Sequence, residues 1–127
     1  MSSGVLDASA ALALFHREPG WESVAASLDG AAISAVNLAE VATRMLERGL
    51  LSERVREDLA ALRLEIVPFD ETLAFEAAGL RSATKHAGLS LGDRACLATA
   101  KRLGVRVITA DRQWSRLRVG VQVQVIR

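Results

Sequence analysis

Strand-like and helix-like segments alternate along the chain, and this alternation constrains the fold more than any other feature. Val5-Leu6-Asp7 reads as a short strand, residues 9–17 as a helix, and residues 19–28 as a second helix with Pro19 in its first turn. After the turn signal Asp29-Gly30, residues 31–34 form the second strand. Ser34 is placed to cap the helix that follows, which runs to Arg48 with Gly49 at its left-handed end. Ser52 begins a helix reaching residue 62, and residues 64–69 form the third strand, marked as an edge by Pro68. Asp70 caps a long helix toward His86, ended by Gly88; Ser90 caps another that ends at Leu103-Gly104. Residues 105–110 are continuous and rich in β-branched side chains, as buried parallel strands are. Residues 112–117 suit one helical turn, and Val121-Gln122-Val123-Gln124-Val125 alternates as a strand exposed on one face. Such an order predicts the α/β class: a parallel β-sheet with helices on both faces. In that class the ligand crevice lies beyond the carboxyl ends of the strands. The chain order does not fix the lateral order of the strands.

Bulk properties narrow the context. A chain of 127 residues, half of them hydrophobic, fits one domain spanning residues 1–127. The formal net charge of +1 gives no overall pull toward nucleic acid, so any such binding rests on local charge. Cys96 is the single cysteine, which excludes a disulfide within the chain and fits a reducing, cytoplasmic setting. The apolar run over residues 8–15 follows Asp7 rather than a basic stretch and is too short to span a bilayer. It is expected to be a buried helix, with no membrane association.

Four acids stand where a metal site would need them. Asp7 ends the first strand and Asp111 the fourth; Glu40 and Asp93 lie early in helices. Hard oxygen ligands gathered at one sheet edge would hold Mg²⁺ or Mn²⁺, ions that do phosphate chemistry. Each acid also has a plain reading. Asp7 and Asp111 suit helix caps, Asp93 suits the third position of a capping box begun by Ser90, and Glu40 suits a solvent-facing stripe with Asn37 and Arg44. Glu40 has apolar neighbours on both sides, which predicts a largely buried helix around it. Asp70 also ends a strand, and for it capping alone is expected. The combination separates the readings: carboxylates about 5 Å apart repel by roughly 3 kcal/mol per pair at an effective dielectric near 20. Such a cluster persists when a cation compensates it or some members stay protonated.

The segments Val5-Leu6-Asp7-Ala8-Ser9, Ser34-Ala35-Val36-Asn37-Leu38-Ala39-Glu40, Gly88-Leu89-Ser90-Leu91-Gly92-Asp93 and Thr109-Ala110-Asp111-Arg112 resemble the signatures of the PIN domain. More narrowly, they resemble VapC toxins of bacterial toxin–antitoxin pairs. The four occur in family order and span essentially the whole chain. The resemblance implies a PIN-like fold and Mg²⁺- or Mn²⁺-dependent endonucleolytic cleavage of RNA. It implies that Asp7, Glu40 and Asp93 bind the ion, with Asp111 as a more peripheral fourth acid. Ser9 and Thr109 match small hydroxyl positions that support the site, and Asn37 matches a polar companion of Glu40. A cognate antitoxin and a homodimer are implied as well.

Other residues carry less. His16 and His86 have no second ligand at metal spacing and are not expected to act as bases. Arg112 and Arg94, each following a site acid, are the expected phosphate contacts; Arg44, Lys101, Arg102, Arg116 and Arg118 are further basic residues. Trp114 suits packing more than base stacking. Two rival functions stand beside the ribonuclease reading. A phosphohydrolase with an aspartyl nucleophile commonly has a second Asp two positions after the first, where this chain has Ser9. A non-catalytic RNA- or protein-binding module on the same scaffold would not need intact acids.

Overall fold

The computed structural model describes residues 3–127. Five strands, β1 (Val5–Leu6), β2 (Ala32–Ser34), β3 (Glu65–Val67), β4 (Val107–Thr109) and β5 (Val123–Val125), form one sheet in the order β3-β2-β1-β4-β5. Every pairing is parallel. The α-helices are α1 (Ala8–His16), α2 (Trp21–Ala26), α3 (Ala35–Glu47), α4 (Ser52–Ala60), α5 (Glu71–Thr84) and α6 (Leu91–Leu103). Short 3₁₀ turns cover Lys85–Ala87 and Arg112–Arg116. The α/β parallel sheet expected from the alternation is the fold observed, and Pro68 follows an edge strand.

Side chains that alternate along a strand point to opposite faces, so β1, β2 and β4 each feed two cores. Leu6, Ile33 and Ile108 join Ala10, Val24, Val41, Met45 and Val55 in the layer made by α1 to α4. Val5, Ala32, Val67 and Val107 join Leu73, Ala77, Leu97 and Trp114 in the layer of α5 and α6. Helices on both faces follow from this division.

Strand order reverses between β1 and β4. The chain builds outward from β1 to β3, then returns through α5 and α6 to pair β4 with the other side of β1. Sheets of this kind open a crevice beyond the carboxyl ends at such a reversal, because the connections leave in opposite directions.

Several expectations need correction. α2 begins at Trp21, with Pro19 ahead of it and Gly20 as cap at φ 92°. A Cβ on Gly20 would overlap the Ile126 carbonyl, so contact with the end of the chain, not Pro19, sets this start. α3 is not largely buried: Asn37, Val41 and Met45 face inward, while Leu38, Ala39, Ala42 and Leu46 line an open apolar groove of about 560 Å³ shared with α4. β5 is half-buried at all three residues rather than alternating, because the Arg112–Arg116 turn packs against it. α4 and α5 stop short of their expected ends, at Ala60 and Thr84.

Candidate active site

A cavity of about 220 Å³ lies at the carboxyl edge of β1 and β4, and Asp7, Ser9, Glu40, Arg44, Asp93 and Asp111 line it. All four acids singled out from the sequence therefore face one space. They arrive on different elements: the end of β1, the second turn of α3, the first turn of α6 and the residue after Ala110 that follows β4.

Asp7 is the buried member, 5% exposed. Its Oδ2 accepts hydrogen bonds from Ser9 Oγ at 2.6 Å and Thr109 Oγ1 at 3.0 Å. A hydroxyl has one proton, so both protons go to Asp7 and the 3.2 Å contact between the two hydroxyl oxygens carries none. As acceptors the hydroxyls take Ala110 N–H at 3.0 Å on Ser9 Oγ and Asp111 N–H at 3.1 Å on Thr109 Oγ1. The two hydroxyls thereby lock the end of β1 to the chain leaving β4 and fix Asp111 relative to Asp7. Burial pushes the Asp7 carboxyl above its ordinary range; the Ser9 and Thr109 bonds oppose this, and the charge of Asp93 adds to it.

Glu40 is exposed but held. The Nδ2 of fully buried Asn37 donates to Glu40 Oε1 at 2.7 Å and to Gly92 O at 3.0 Å. This single amide joins α3 to the first turn of α6. Asn37 Oδ1 is buried and has no partner.

Asp93 and Asp111 fill the caps that the plain reading gave them. Ser90 and Asp93 form a reciprocal capping box, with Ser90 N–H to Asp93 Oδ2 at 2.9 Å and Asp93 N–H to Ser90 Oγ at 3.1 Å. Asp111 Oδ1 accepts from Gln113 N–H at 2.9 Å. Capping and lining the cavity do not compete, since a carboxylate has two oxygens and about four lone-pair sites. Asp7, by contrast, heads α1 without a side-chain cap bond. Asp70 caps α5 and binds Arg102 through both oxygens, at 2.9 and 3.1 Å, outside the cavity.

Other placements differ from chain adjacency. Arg94 Nη1 donates to Ala77 O on α5, and Arg112 Nε donates to Arg127 O; neither lines the cavity. Neighbours in a helix diverge, whereas residues four apart share a face. Arg44, four after Glu40, is accordingly the arginine in the cavity wall. His16 and His86 are not among the lining residues, and Trp114 is packed in the core at 1% exposure. Cys96 is buried beneath the acids: burial first, then the charges of Asp7, Asp93 and Glu40, push its thiol well up.

The donor set suits a hard divalent cation. Among the described residues, no three His, Cys, Asp or Glu side chains converge tightly enough to hold an ion by themselves. Mg²⁺ does not require that, because it usually keeps several waters and binds through one or two carboxylates. A small cavity ringed by four carboxylates, one of them pushed toward its neutral form by burial and a like charge, fits such an ion.

Known proteins agree with this architecture. No curated protein sequence matches the chain. A toxin–antitoxin complex from Klebsiella pneumoniae contains a chain of TM-score 0.76 and 22% identity, with 98% of each chain covered. DNA-bound VapBC from Salmonella typhimurium gives TM-score 0.75 at 20% identity, covering 100% of each. VapBC-5 from Mycobacterium tuberculosis gives TM-score 0.60 at 25% identity, covering 100% of this chain and 99% of that one. The family model described as PIN domain matches residues 4–120, a stretch holding all four acids and both halves of the sheet reversal, and the chain belongs to that family.

Proposed function

We propose that the chain is a Mg²⁺- or Mn²⁺-dependent endoribonuclease and the toxin of a type II toxin–antitoxin pair. PIN-domain toxins are generally nucleases. The observation that carries the finer reading is the meeting of Asp7, Glu40, Asp93 and Asp111 around one cavity at the sheet reversal. Those four carboxylates would hold the ion. When bound, Mg²⁺ or Mn²⁺ supplies an acidified water and neutralises phosphate charge. Ser9 and Thr109 keep Asp7 aimed, Asn37 keeps Glu40 aimed, and the Ser90 box keeps Asp93 aimed. Arg44, in the cavity wall, would offer its guanidinium to the scissile phosphate, a group able to bind phosphate bidentately. Exposed Arg112 follows Asp111 and would meet a phosphate farther along the strand by giving up its bond to Arg127 O, whereas Arg94 is engaged with α5.

The partner is a cognate antitoxin, as in the complexes named above. The apolar groove between α3 and α4 suits it, because α3 carries Leu38 and Ala42 on the groove and Glu40 and Arg44 on the cavity. One ligand can therefore cover both. A homodimer is the proposed assembly of the toxin itself.

Purified protein should cut structured RNA with Mg²⁺ or Mn²⁺ and stop on addition of EDTA. Glu40→Gln and Asp93→Asn should each reduce cutting by about 100-fold or more, beyond the usual loss for a supporting residue. Asp111→Asn should cost about tenfold, and far-UV circular dichroism should stay native throughout. Full activity of Asp93→Asn would sink the assignment.

A further inference from the structure

Gly92 occupies the first turn of α6, between Leu91 and Asp93. Glycine is poor in helices because it loses the most backbone freedom on folding. Its φ lies outside the left-handed region, so backbone conformation does not call for glycine here. Space does. A Cβ at this position would lie 2.7 Å from both Cδ and Oε2 of Glu40, and closer still to Oε1. Atoms do not pack at such distances, so the Glu40 carboxylate fills the volume that any other residue would claim.

Asn37 closes the same slot from the other side. Its Nδ2 donates one proton to Glu40 Oε1 and the other to the carbonyl of Gly92 itself. The α6 backbone, the buried amide and the Glu40 carboxylate are thus in mutual contact, and Asp93 is the next residue along α6.

We propose that Gly92 is a positioning residue for Glu40: its missing side chain leaves the slot in which Asn37 pins that carboxylate beside Asp93. The proposal rests on the metal-dependent reading above and names the residue that sets the approach of two of its acids. Glu40 is exposed, so a side chain at position 92 displaces its carboxylate toward solvent at the cost of the Asn37 hydrogen bond.

The test compares wild type, Gly92→Ala, Glu40→Asp and the double variant. Mn²⁺ binding is measured by titration calorimetry, and folding by circular dichroism and melting in EDTA. Gly92→Ala is expected to fold with a native far-UV spectrum and a cooperative melt, and to bind Mn²⁺ about 10- to 100-fold more weakly, the range for losing support of a metal ligand. Glu40→Asp withdraws the carboxylate by one methylene from position 92. In that background Gly92→Ala should cost no more than about twofold, because the clash is gone. Wild-type affinity in Gly92→Ala overturns the proposal, as do losses that multiply in the double variant. A Gly92→Ala chain that does not fold also overturns it, since Glu40 would then have had no freedom to leave. Wild-type protein that takes up no Mn²⁺ overturns the functional reading, and this proposal with it.

Discussion

At the residue scale, Asp7 and Asp70 show how similar positions acquire opposite chemistry. Asp7 directly follows β1 and Asp70 comes shortly after β3, yet Asp7 is sealed under two hydroxyls and Asp70 lies in solvent against Arg102. Burial raises the Asp7 carboxyl; hydrogen bonds from Arg102 and Leu73 N–H lower that of Asp70. The signs of their contributions to stability follow. A raised carboxyl favours the folded state below its unfolded value and loses that contribution as pH rises through the folded value. Asp7→Asn should therefore melt above wild type in EDTA at neutral pH, and the gap should close as pH falls to about 4, the ordinary Asp range. Asp70→Asn should show the reverse: a lower melting temperature at neutral pH, with the deficit fading in acid. Thermal melts across that interval check both, and an Asp7→Asn chain less stable than wild type at neutral pH contradicts the burial argument.

At the element scale, helix starts carried by local signals are legible, and the start of α2 is not. Ser34, Asp70 and Ser90 each cap the helix expected of them. α2 starts at Trp21, after a cap that must be Gly20 because Ile126, more than a hundred residues away, leaves no room for a side chain; no local signal carries that. The Ser90 box has a double role, since Asp93 both caps α6 and lines the cavity. Ser90→Ala should cost about 1 kcal/mol, or roughly 4 °C in melting temperature. It should also weaken the Mn²⁺ response by freeing the Asp93 side chain, and Ser90→Thr should restore both. Loss of stability with an undiminished Mn²⁺ response would show that the box serves the helix alone.

For the whole molecule, the sheet reversal brings four like charges to one edge, and the proposed cation and the proposed antitoxin relieve the same repulsion. An ion at a hundred times its dissociation constant stabilises the fold by about 2.7 kcal/mol, so Mn²⁺ should raise the melting temperature and Asp93→Asn should blunt the rise. An arginine from an antitoxin tail suits the same acids, being always charged and able to bind carboxylate bidentately. If it occupies the metal site, raising Mn²⁺ at constant ionic strength should weaken inhibition, and replacing that arginine with alanine should restore cleavage. Inhibition indifferent to both changes would reject site occupation while leaving the toxin reading intact.

Periodicity and capping chemistry are local, so the sequence by itself determined the element order, the parallel class and the acids at element ends. The resemblance of four short segments added their proposed roles, including those of Ser9, Asn37 and Thr109, which the structure places against the acids. Direction and proximity are not local. Arg94 and Arg112 follow acids in the chain, yet helix rotation sends Arg94 to α5 and the Arg112–Arg116 turn takes Arg112 to the end of the chain, while Arg44 comes to the wall. The lateral order β3-β2-β1-β4-β5, the opening of the groove along α3 and the fit of Glu40 against Gly92 were decided only by tertiary packing. Each depends on which surfaces meet across long stretches of chain, and no short window of residues specifies that.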